Sequence, residues 1–226
     1  MGCGSSSAPV SRDTVKATYV AGLSARGEPI YALCNYAKKD HVRADIHLLK
    51  FVWRTKVSKN TGEMGGFPTV LYKDVQRQQL GAIIRMIGIE NGQYDPTDWK
   101  QAMRIDWIVD TWGDMTNILG AIFLGGGNKQ QKYADAMEKK YRPFLIALEK
   151  QLNDLGTRFI AADKVTIADC CVLALLRSNM TNPKGCAQPH ALNEWNSGRY
   201  PKLQAYFETL KDAFADFLAN NPATAI

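Results

Sequence analysis

The stretch Met64-Gly65-Gly66-Phe67-Pro68-Thr69-Val70-Leu71 carries the most pointed backbone chemistry in this chain. Two glycines give a flexible approach, and an aromatic-proline pair then runs directly into a β-branched strand. Proline lacks an N–H and holds the residue before it extended. An X-Pro bond at the mouth of a strand is therefore a candidate cis bond. A cis Phe67-Pro68 bond would turn the N–H and C=O of Phe67 away from the sheet, where they could clamp another peptide-like backbone. The same residues also suit a plain loop leading into a strand.

A second piece of chemistry lies at the start. Met1-Gly2-Cys3-Gly4-Ser5-Ser6 fits the N-myristoylation pattern, with Gly2 as acceptor and Ser6 at the favoured hydroxyl position. Cys3 beside it is a palmitoylation candidate, and a second lipid matters because one myristoyl chain attaches only marginally. The serines that follow read as a flexible tether or a plain tail, so residues 1–14 are expected to stand apart from the fold.

Composition bounds the rest. At 226 residues the chain fits one large domain or two small ones. With 46% apolar and 22% charged residues it has an ordinary globular balance. No apolar run is long enough for a membrane span, and no signal-peptide core stands near the start. The five cysteines include no CxxC pair, which suits a reducing compartment and predicts neither a disulfide framework nor a zinc site. The three histidines show no ligand spacing, so no metal is expected. A charge of +6, spread along the chain without a basic cluster interleaved with aromatics, argues against nucleic-acid binding.

The elements that must position this chemistry follow a pattern. A strand ends near Tyr19, and a helix is predicted over 27–36 with Pro29 in its first turn. Residues 42–49 read as a second strand and residues 50–63 as a basic, irregular loop. Strands over 69–73 and 75–79 come next, then a short helix over 82–89 closed by Asn91-Gly92. The order β-α-β-β-β-α describes a small α/β domain over residues 15–92. After the linker Asp95-Pro96-Thr97, residues 98–226 read as all-helical. Ile105, Ile108, Trp112, Met115, Leu119 and Ile122 recur at steps of three and four, forming one apolar stripe that ends at Gly125-Gly126-Gly127. A second stripe runs from Met137 to Leu155, with a kink expected at Pro143. Thr166 and Asp169 stand at capping-box spacing, a folding device for a buried helix.

Taken in order, these pieces resemble a glutathione transferase, and among its classes the sigma-type group. The resemblance covers residues 15–215. It rests on Ala17-Thr18-Tyr19-Val20, Arg26-Gly27-Glu28-Pro29-Ile30, Gly65 to Leu71, Gln79 with Ala82-Ile83-Ile84-Arg85, Ile108-Val109-Asp110-Thr111, Val165 to Asp169 and Tyr200-Pro201-Lys202-Leu203. It implies a thioredoxin-like N-terminal domain, an all-α C-terminal domain and a two-fold homodimer, with glutathione as co-substrate. In the family the matching proline is cis, and the residue before it binds the cysteinyl backbone of glutathione.

The resemblance also assigns roles. A thiol of pKa near 8.5 is mostly protonated at neutral pH, and a hydrogen bond donated to the thiolate favours the nucleophilic form. Tyr19 matches the tyrosine that donates this bond, with Ser24 as a backup donor. Arg26, Trp53, Lys56, Gly66, Phe67, Pro68 and Gln79 fall at glutathione-binding positions. Leu80 stands where the family has a serine; it keeps the helix-start N–H groups, which favour an anion, but has no hydroxyl. Glu28 lies one residue further from Tyr19 than the sigma-type spacing. Asp106, Asp110 and Asp114 stand four apart, and Asp114 matches the aspartate that reaches the partner subunit's ligand. A pocket for a small hydrophobic electrophile is expected near Trp112 and Met115. These features describe a glutathione S-transferase tethered through Gly2 and Cys3 to the cytoplasmic face of a membrane, plasma or ciliary, or else free in the cytosol. A non-catalytic scaffold or crystallin-like protein on the same fold is the competing class.

Overall fold

The computed structural model describes residues 11–20, 25–43 and 67–221. Four strands form one sheet: β1 (Val15–Thr18), β2 (His41–Arg43), β3 (Thr69–Tyr72) and β4 (Val75–Gln78), in the order β2-β1-β3-β4. β1 runs parallel to β2 and antiparallel to β3, and β3 pairs antiparallel with β4. Thr18 stands opposite Thr69. That register sets Tyr19, just past β1, beside Phe67-Pro68, just ahead of β3.

A 3₁₀ turn over Ala25–Gly27 leads into α1 (Glu28–Tyr36), with proline in its first turn. Every residue from Glu28 to Cys34 is buried, so α1 is covered all round rather than along one stripe. The reason is its place between the small α/β domain and the helical one. α2 (Leu80–Asn91) ends at Gly92, whose φ of 77° places it in the left-handed region that glycine enters without a Cβ clash. Residues 11–14 are not a free tail. Thr14 N–H bonds Ser11 O, Lys73 N–H bonds Arg12 O, and the Arg12 side chain pairs with Asp74.

The helical half starts with α3 (Trp99–Leu124), capped by the Asp98 carboxylate on Gln101 N–H and stopped at Gly125. α4 (Lys129–Ala136) passes into a π turn over Met137–Tyr141 and then α5 (Arg142–Leu155). The irregularity expected at Pro143 is thus a widened turn ahead of it: proline has no N–H to return to Lys139, and its ring needs the space. α6 (Ile167–Ala174), a second π turn (Leu175–Met180), α7 (His190–Trp195), α8 (Pro201–Ala213) and α9 (Ala215–Asn220) complete the described chain. α6 is buried throughout because α1, α3 and α8 all pack on it. The capping box at its start forms with both halves in place. Among the described residues, no helix is long and apolar enough to cross a membrane.

Two buried carboxylates fasten this scaffold. Glu28 of α1 accepts from Arg177 Nη1 and Ser178 Oγ of the second π turn, each at 2.5 Å, tying the two domains together. Glu194 of α7 accepts from Arg142 twice, from Arg199 and from the Tyr200 hydroxyl. Burial pushes the Glu194 carboxyl up, but its bonds to Arg142 and Tyr200 outweigh that and hold it below its ordinary range. A depressed folded-state pKa gives stability that is present above the ordinary value and lost as pH falls through the lowered one. Glu194→Gln is therefore expected to be less stable than the parent at pH 7. The gap should narrow as pH drops below about 4.5, as read from urea midpoints across that range.

Candidate functional site

The register of β1 against β3 brings together the first elements of the site. Tyr19 is 7% exposed and stands outside the main core, in a small cluster with Phe67, Phe123 of α3 and Cys186. Its ring packs closely on Gly27, where a Cβ would stand 3.0 Å from Tyr19 Cγ and Cδ1. Any larger residue at 27 would push the tyrosine aside. The Tyr19 hydroxyl oxygen accepts the Arg26 backbone N–H at 3.3 Å. Burial pushes its pKa up, against the opposing Arg26 N–H bond and Arg26 charge, so the phenol keeps its proton at neutral pH. With its oxygen engaged by Arg26, and no acceptor for its own proton among the described residues, the hydroxyl is a spare donor.

Arg26 also anchors the turn. Its Nη2 donates to Gly113 O at 3.1 Å and to Asn117 Oδ1, both on α3. The backbone N–H that meets Tyr19 is thereby fixed by the helical domain. The Phe67-Pro68 bond is cis, as is Gln188-Pro189. Gln79 is the N-cap of α2 with φ 77° and ψ 111°, a left-handed value that a side chain seldom adopts. Among the described residues no side chain caps this helix start, so its first-turn N–H groups remain available to an anion. Leu80 points the other way, into the core, at 6% exposure.

The remaining predicted residues divide. Asp114 is exposed on α3, whereas Asp106 and Asp110 are ion-paired with Arg85 of α2 at 2.6 and 2.9 Å, and Asp106 also accepts from Tyr94. Trp112 and Met115 belong to the main core, 1% and 7% exposed; neither is part of the Tyr19 cluster. The apolar wall beside Tyr19 is Phe67, Phe123 and Cys186 instead. Phe123 lies four residues after Leu119, at stripe spacing, but the predicted stripe closes at Ile122; Cys186 sits in an aperiodic segment that no spacing marks. The Cys186 thiol is pushed up by burial, against the opposing hydrogen bond from Tyr133, and Cys34 is pushed up to about 12, also by burial. Neither offers a thiolate. Gly2, Cys3, Ser24, Trp53, Lys56 and Gly66 lie outside the described residues.

Solved structures share this architecture over almost the whole chain. A Nu-class glutathione transferase from Haemonchus contortus superposes with a TM-score of 0.74 at 20% identity, covering 94% of this chain and 99% of that one. The glutathione S-transferase of Ascaris lumbricoides gives 0.72 at 20% identity, covering 94% and 100%. The chain has the glutathione transferase fold. Residues 113–219 of this transferase fold match the family model of the glutathione S-transferase C-terminal domain. Among curated proteins, glutathione S-transferase P of Capra hircus is 27% identical over 146 residues, 63% of this chain and 68% of that protein. The Homo sapiens protein of the same name is 26% identical over 158 residues, 68% and 74%.

Proposed function

We propose that this protein is a glutathione transferase, most like the sigma-type class, in which Tyr19 donates a hydrogen bond to the glutathione thiolate. The observation that carries the reading is the Tyr19 hydroxyl: protonated, fixed through its oxygen by Arg26 N–H, and holding an unspent proton beside Phe67. A donor so placed favours the thiolate over the thiol. The uncapped start of α2 would take the γ-glutamyl carboxylate, helped by Gln79, while the Phe67 backbone would meet the cysteinyl unit. Arg26, Trp53, Lys56 and Gly66 would complete the site. In a homodimer, Asp114 would reach the partner subunit's ligand. The electrophile would lie against Phe67 and Phe123.

Titrating the protein with glutathione across pH while following thiolate absorbance tests this. Bound thiolate well below the free thiol's pKa is the expected result. The non-catalytic reading has one observation in its favour, the inward-facing Leu80. A lost hydrogen bond to a charged group weakens binding by about 1.5–3 kcal/mol, or roughly one to two decades. If no glutathione binds at millimolar concentration, the chain is a scaffold on this fold.

The N-terminal motif adds a membrane address to the proposal: myristate on Gly2 and palmitate on Cys3 would hold the protein on the cytoplasmic face of a membrane. Gly2→Ala is then expected to move the protein from the membrane fraction of expressing cells to the soluble one. An unchanged distribution, with no acyl mass on the wild-type N-terminal peptide, would remove this part of the proposal.

A further inference from the structure

We propose that the electrophile accepted at this site carries a carboxylate, held at the rim by Lys129 with Lys132 beside it. The inference rests on the transferase reading for the chemistry, and on separate observations for the ligand. Phe123 forms part of the apolar wall against Tyr19. The Lys129 ammonium stands 5.7 Å from the centre of the Phe123 ring and donates to the Phe123 carbonyl at 2.7 Å. Lys132 Nζ donates to Gly126 O at 2.7 Å, in the glycine segment just past α3.

An ammonium has three N–H donors, so each lysine keeps two for a ligand. Neither has an acidic partner among the described residues. The nearest acids along α4 and the π turn are engaged elsewhere: Asp135 with Lys139 and Gln131, and Glu138 with Arg142. Tyr19, Phe67, Phe123 and Cys186 thus form an apolar floor; the unneutralised Lys129 ammonium stands against its Phe123 ring, and Lys132 follows one turn on along α4. A neutral hydrocarbon would use only the floor. A ligand with an apolar body and one anionic end uses both. Lys129 also caps the carbonyl end of α3, where cations are favoured, but capping uses one of its N–H donors and gives no preference between ligands.

A chalcone bearing a 4-carboxylate, and its methyl ester, separate these roles. The sulfur lone pair would form the C–S bond at the β-carbon, and the alkene π pair would move onto the carbonyl as an enolate. The proton that left the thiol would end on the α-carbon. Binding is measured first, without turnover, as the dissociation constants of acid and ester for the wild type, Lys129→Gln and Lys132→Gln. The wild type is expected to prefer the acid, and Lys129→Gln to lose about fivefold of that preference, the scale of one partly exposed ion pair. Raising ionic strength should erode the preference in the wild type and not in the Lys129→Gln, Lys132→Gln double variant. Equal affinity of wild type for acid and ester, or a preference that survives both substitutions, overturns the inference. A preference without any turnover supports the ligand site and sinks the transferase reading instead.

Discussion

Tyr19→Phe is expected to slow glutathione conjugation about 100- to 1000-fold at neutral pH, the cost of removing one preorganised donor from a bound anion. The ring survives the substitution, so packing against Gly27, Phe67 and Phe123 is kept. What disappears is the O–H proposed to stabilise the thiolate, together with the acceptor for Arg26 N–H. Leaving that N–H without a partner costs about 1–3 kcal/mol if it stays dry, less if water reaches it. The two effects separate cleanly. The chemical loss depends on pH: without the donor, the bound thiol returns toward its free pKa near 8.5, so the variant's rate climbs with pH where the parent's is already level. The deficit should therefore shrink above about pH 9. The stability loss should not follow the same curve.

Burial also fixes the form in which Tyr19 would act in the proposed reaction. Its raised pKa means that the phenol remains a donor throughout the neutral range, and a phenolate base is not the operating species. If parent and variant gave the same thiolate absorbance at pH 7, Tyr19 would be a structural tyrosine. Ser24→Ala would then be the next variant to measure.

How much of this was legible in the sequence depends on whether the cause was local. Gly92 ends α2 and the Thr166–Asp169 box starts α6, because each is decided within one turn of backbone. The apolar stripe on α3 correctly marked Trp112 and Met115 as inward, but spacing does not say which interior they face. They face the main core. Phe123, Cys186 and Gly27 meet at Tyr19 from segments up to 167 positions apart, and no period connects them. The three aspartates of α3 show the same limit. Their spacing places them on one face of the helix but does not say what that face meets; Arg85 on α2 takes two of the three. Gln79 could not be read as left-handed either, since glutamine carries no signal for that conformation; the surrounding fold imposes it, at a cost of about 1–3 kcal/mol that such positions often repay through a ligand.

The largest loss of stability is expected from Asp169→Ala. The Asp169 side chain is fully buried and gathers four donors: Ile160 N–H at 3.0 Å, Thr166 N–H and Thr166 Oγ1 at 2.7 Å each, and the Tyr206 hydroxyl. Alanine removes every acceptor at once and leaves those donors in a dry interior, together with a small cavity. Each orphaned group costs about 1–3 kcal/mol if it finds nothing else, and relaxation keeps the sum near about 4–5 kcal/mol. For a protein of this size that corresponds to a fall in Tm of roughly 10–20 °C. The consequence reaches the site, because α6 packs on both α1 and α3, the helices that hold Arg26 between them. Asp169→Asn supplies the control. It keeps the shape and one acceptor oxygen but turns an NH₂ group toward donors, so it should lose roughly half as much. Calorimetric melting of the two variants beside the parent decides the matter. If both melt within about 3 °C of the parent, the capping network is not what holds α6 in place.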